Sequence, residues 1–101
     1  MKKWNERKWR WEGEDLTPML LGYYVDYARK LWGSKSKRFA EYCEKKIWQA
    51  AVFKAWNDGA TQKAIAEKNG MTRAAVQFII NTMYNKVILL KEEQRDRHHN
   101  R

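Results

Sequence analysis

The sequence is poor in the residues that staple, break or catalyse: one cysteine, one proline, two histidines and five glycines among 101 residues. A lone Cys43 cannot close an internal disulfide, which argues against a small secreted module and suits a reducing cytoplasm. With its proline confined to position 18, the chain permits long helices and disfavours a turn-rich β-fold. No apolar run approaches the roughly 18 residues of a membrane span, and no signal-peptide core is present, so a cytoplasmic protein without membrane contact is expected. His98 and His99 are adjacent, which on a helix points them apart, and no cysteine or third histidine lies near them, so no metal site is expected. Cys43 has no base beside it, the carboxylates occur singly or as the pair Glu92-Glu93, and no glycine-rich phosphate loop exists. The expectation is a binding protein, neither an enzyme nor a carrier of a cofactor or small-molecule ligand.

What the chain does have is positive charge and apolar surface. Twenty-one basic residues against twelve acidic ones give a net charge of +9, a field that favours polyanions. A hydrophobic share of 44% over this length supports one domain with one core.

Residues 1–16 form a tryptophan-rich arm in which Trp4, Trp9 and Trp11 stand among charges of both signs. Minor-groove insertion by Lys2, Lys3, Arg7, Lys8 and Arg10 is one use for it, but Glu6, Glu12, Glu14 and Asp15 oppose that, and packing is the better expectation. Residues 17–90 form the domain, and 91–101 a charged tail expected to fray. Thr17-Pro18 opens a first helix, with proline in the first turn where no amide partner is lost, and Gly33 stops it after Trp32. Its wide apolar sector, including Leu20, Tyr24, Tyr27 and Leu31, predicts burial on two sides as core packing. The loop 33–38 holds Lys35, Lys37 and Arg38 with no acid, a place for phosphate contact. A second helix spans about Lys37 to Asn57 and is apolar nearly all round between Ile47 and Trp56, as befits a central helix; Cys43 is expected buried on its face. Asp58-Gly59 ends it.

The remaining stretch, 61–81, reads as two helices at a steep angle with a turn at Asn69-Gly70-Met71. Gly70 supplies the reversal, and the Thr72 hydroxyl is placed to accept from the Ala75 amide as an N-cap. Ile65, Ala66, Met71, Val76 and Ile79 would lock the pair together. The expected fold is therefore all-α, a compact four-helix domain whose third and fourth helices form a helix-turn-helix.

These residues resemble the helix-turn-helix DNA-binding proteins. Counted from Gln62, alanine belongs in the fifth place, glycine in the ninth and an aliphatic residue in the fifteenth, and Ala66, Gly70 and Val76 stand there. Asn69 departs from the pattern at a place that is normally apolar. Asp58-Gly59, Gln62 and the run from Gly70 to Val76 are similar to the small TrfB-type repressors of plasmids. The resemblance implies sequence-specific binding of double-stranded DNA by a small transcriptional regulator, a repressor of plasmid or phage type. In that geometry the second motif helix enters the major groove N-terminal end first. Arg73, Ala74, Gln77, Phe78 and Asn81 would then face base edges: Arg73 toward guanine, Gln77 toward adenine, Ala74 or Phe78 toward a thymine methyl. Similar repressors hold the backbone at the position of Gln62; Thr61, Lys63 and Thr72 share that rim, and Lys35, Lys37 and Arg38 would reach a flanking phosphate. Two other classes stay open. A small terminase subunit or other DNA-packaging protein would form a ring, and a protein-protein module would ignore DNA.

Ile80, Met83, Val87 and Leu90 follow alternating spacings of three and four, the seam of a short coiled coil, and predict a homodimer joined along the end of the last helix. The rival is that the helix beginning at Thr17 and the tryptophan arm cover these residues within one chain.

Overall fold

The computed structural model describes residues 10–99, with side chains to Arg95. Trp4, Trp9 and the basic residues before Arg10 lie outside the described residues, as do the side chains of His98 and His99. The described chain is all-α, with helices α1 (Thr17–Trp32), α2 (Lys37–Asn57), α3 (Gln62–Asn69) and α4 (Arg73–His99) and no strand.

Each helix begins and ends where local chemistry permits. At the start of α1, Asp15 Oδ1 accepts from the Thr17 amide at 3.0 Å, because Leu16 in the capping position has no side-chain oxygen. Ser36 Oγ caps α2 by accepting from the Arg38 amide at 3.1 Å. α2 and α3 end alike. After α2, the amides of Gly59 and Ala60 return to the carbonyls of Trp56 and Ala55; after α3, those of Gly70 and Met71 return to Glu67 and Ala66. That crossed pair needs a positive φ at the glycine, 120° at Gly59 and 63° at Gly70.

α1 packs on α2 and α4, while α3 packs on α2 and α4 only. The core is one cluster in which Trp56, Phe53, Leu20, Ile80, Met83, Val76 and Val87 are the largest fully buried side chains. The arm contributes to it. Leu16 is buried, and the Trp11 ring lies against Phe53 and Tyr84 at 6.4 and 4.8 Å. Arg10 is committed to the protein: its guanidinium donates to the Trp56 and Ala60 carbonyls at 2.5 and 2.6 Å and sits 5.0 Å from the Trp56 ring centroid. A cation at those carbonyls also complements the negative end of α2. Arg10 and Trp11 therefore pack, as expected of the arm.

Four expectations need correction. The seam residues Ile80, Met83 and Val87 are completely buried within their own chain, in one core cluster with Leu16, Leu20 and Tyr24 and with Val52, Phe53 and Trp56 of α2, and Leu90 is half-buried. The arm and α1 occupy the place assigned to a second copy. The charged segment after Leu90 does not leave the helix, which runs on to His99; Lys91 is tied back to Glu14 at 2.7 Å. α1 and α2 are less enclosed than their composition implies, since Tyr27, Leu31, Ile47 and Trp48 are exposed. Cys43 is half-buried rather than buried. No helix among the described residues is long and apolar enough to cross a membrane.

Candidate nucleic-acid interface

The candidate surface is built on α3, the three-residue turn 70–72 and the first half of α4. α3 holds its place through one inward face: Gln62, Ile65 and Ala66, at spacings of three and four, are all buried. Its start is capped by Thr61 Oγ1, which accepts from the Ala64 amide at 3.1 Å. Its end is closed by the glycine turn and by Asn69, whose Nδ2 donates to the Ile65 carbonyl at 2.8 Å. Thus the residue that departs from the apolar pattern turns its side-chain amide back onto its own helix. Thr72 Oγ1 accepts from the Ala75 amide at 3.1 Å and starts α4 at Arg73, the bond expected from the sequence.

From there α4 divides into two faces. Val76, Ile79 and Ile80 are buried, with Met71 packed at the edge of the core. Arg73, Ala74, Gln77, Phe78 and Asn81 are all exposed, Phe78 to 69%. Arg73, Gln77 and Asn81 recur every fourth residue, so they stand in one row about 6 Å apart along the axis. Ala74 and Phe78 form the adjoining row. None of the three polar side chains hydrogen-bonds within the described residues, which leaves their donors and acceptors free for an outside partner. Arg, Gln and Asn are the side chains that make paired hydrogen bonds to base edges. Electrostatics favour an anion here: from Lys68 to Asn81 the chain carries Lys68 and Arg73 and no aspartate or glutamate.

The expected phosphate contacts divide. Thr61, Lys63 and Thr72 are exposed along the rim of α3 and the turn, although the two threonine hydroxyls already serve as caps. Gln62 is a correction, for only 6% of its surface is exposed. It shares the inward face with Ile65 and Ala66, a placement its spacing from Ile65 already implied. Lys35, Lys37 and Arg38 are exposed in the α1–α2 loop and at the start of α2. The end of α3 meets α2 near Trp48, where Trp48, Lys68 and Asn69 line one groove. About 16 Å of helix separates that point from Lys37, so loop and rim are distinct patches.

The sequence reading missed two features. Lys68 joins the rim because α3 lies back along α2, which no spacing within α3 reveals. Asn57 is buried at 3% exposure and grips the arm, its Oδ1 accepting from the Trp11 amide at 2.7 Å while Nδ2 donates to the carbonyls of Trp11 and Glu14. A polar residue in the last turn of an otherwise apolar helix was the available signal. No group of three potential metal-ligating side chains occurs among the described residues. No known protein family, curated protein or solved structure matches the chain.

Proposed function

We propose that α3, the turn and α4 act as a helix-turn-helix, and that the protein is a non-catalytic, sequence-specific binder of double-stranded DNA, a small regulator of transcription. The observation that carries this reading is the outer face of α4. Arg73, Gln77 and Asn81 are aligned, exposed and without a hydrogen bond among the described residues, beside an apolar ring with 69% of its surface in water. A partner on this face would take the Phe78 ring out of water. In the major groove the same ring meets a thymine methyl while the polar row pairs with base edges. The net charge of +9 supplies the sequence-independent attraction. The assignment to repressors of plasmid or phage type rests on the resemblance of residues 58–76 alone. A homodimer stays within the proposal because one motif buries little DNA surface and such readers pair across half-sites. Its contacts, however, must lie away from the buried residues Ile80, Met83 and Val87.

Selection of bound sequences from a random duplex library tests the reading directly. On the selected site Gln77→Ala is expected to cost about 1–3 kcal/mol and to relax preference at one base pair. Equal losses on selected and random duplexes would remove Gln77 from base reading. Absence of any salt-dependent duplex binding would instead favour a protein partner at Phe78.

A further inference from the structure

A second cationic cluster lies outside the surface just described, where α1, α2 and α4 meet. Tyr23 and Tyr24 of α1 touch edge to face, with ring centroids 5.1 Å apart. Lys46 of α2 places its Nζ 4.4 Å from the Tyr24 centroid and 5.4 Å from that of Tyr42. Lys86 of α4 places its Nζ 4.2 Å from the Tyr23 centroid. Two ammonium groups from different helices therefore stand on adjoining rings. Lys46 gives one hydrogen bond to Gln49 Oε1 at 3.2 Å, leaving two N–H groups, and Lys86 gives none within the described residues. The hydroxyls of Tyr23, Tyr24 and Tyr42 likewise make no hydrogen bond within the described residues.

No carboxylate among the described residues pairs with either lysine; the ion pairs there are Arg29–Asp26, Lys54–Asp58 and Lys91–Glu14. Burial, then the positive charges of Lys45 and Lys86, hold the Lys46 ammonium below the usual lysine range. Stem packing on an aromatic surface would account for one such lysine. Attraction to the ring faces offsets part of the charge of each lysine, but no carboxylate among the described residues neutralises the pair. What the cluster lacks is an oxyanion with several acceptors, and the two ammonium groups and tyrosine hydroxyls supply the donors for one.

We propose that Lys46 and Lys86, on their tyrosine floor, form a phosphate-binding site. Lys86 shares a row of α4 with Thr82 and Phe78, about 12 Å of helix beyond Phe78, so the site borders the base-reading face. A phosphate of the DNA backbone is one source of the ligand and a free phosphate-bearing small molecule the other. Only the assignment to DNA rests on the function proposed above; the site itself does not.

The test follows the lysine ammonium resonances of the full-length ¹⁵N-labelled protein during addition of inorganic phosphate, of chloride at matched ionic strength, and of duplex DNA. Phosphate is expected to shift the Lys46 and Lys86 signals saturably, and chloride is not. If the source is the DNA backbone, duplex moves the same two signals. The Lys46→Gln, Lys86→Gln double variant then lowers the salt slope of duplex binding by about one, and the corresponding arginine pair preserves it. A phosphate shift that duplex fails to reproduce supports the site with a free ligand. Lysine signals that respond to phosphate no differently from chloride overturn the site, however well the protein binds DNA. A full phosphate response in a protein that binds no duplex leaves the site standing and refutes the DNA reading.

Discussion

Asn57 is a single side chain that satisfies one amide and two carbonyls of the segment running into α1. Removing it leaves the Trp11 amide and the Glu14 carbonyl without that partner, while the Trp11 carbonyl keeps the Glu14 amide at 3.2 Å. Asn57→Ala is therefore expected to cost about 1–3 kcal/mol, the range for polar groups that lose a hydrogen-bond partner. Urea denaturation reads this as a lower midpoint, and an unchanged midpoint would mean that the segment is not held through Asn57. The residue scale is also where the sequence was most legible for local chemistry. Gly70 in the left-handed region and the Thr72 hydroxyl on the Ala75 amide follow from residue type and position alone. Gln62 and Asn57 were less legible, because what a polar side chain does depends on which neighbour arrives in space.

At the scale of elements, the starts of α1, α2 and α4 and the stop signals of α1, α2 and α3 were legible because caps, proline and glycine act within a turn of their own position. The fate of the apolar stripe on α4 was not. A spacing of three and four records that a face is covered, not whether the cover is a second copy or the same chain. Leu16, Leu20 and Tyr24 settle that for Ile80, Met83 and Val87. A consequence can be measured. Val87 has no exposed surface, so Val87→Glu places a carboxylate in the core with no partner and is expected to unfold the chain. Circular dichroism showing a fully folded variant would reopen the dimer seam. The exposed face of α4 follows from the same division, since the candidate readers are what remains once the buried arc is subtracted.

For the whole molecule, the tyrosine cluster sets the alkaline limit. Burial, then the neighbouring Tyr42 and Tyr23, push the Tyr24 hydroxyl up from 10.0 to about 12. Because the folded state holds the proton more tightly, its contribution to stability is fully present below pH 10 and is lost as the pH rises toward about 12. Thermal melts across that window should show a falling midpoint, with tyrosinate absorbance appearing late, and Tyr24→Phe should flatten the fall. An unchanged pH dependence in the variant would assign the loss to other groups. The grip on residues 10–16 also bears on time rather than energy. Arg10 meets carbonyls 46 and 50 positions away and Lys91 meets Glu14 across 77, whereas α1–α2 and α3–α4 are neighbours in sequence. Distant closures cost more chain entropy and are made after local pairings have formed. Weakening them at Asn57 is expected to accelerate unfolding in stopped-flow fluorescence while leaving the refolding rate nearly unchanged; a slowed refolding limb would put the closure before the barrier. The clasp would then govern how long each native molecule lasts, and hence how often the segment before α1 is released to proteases.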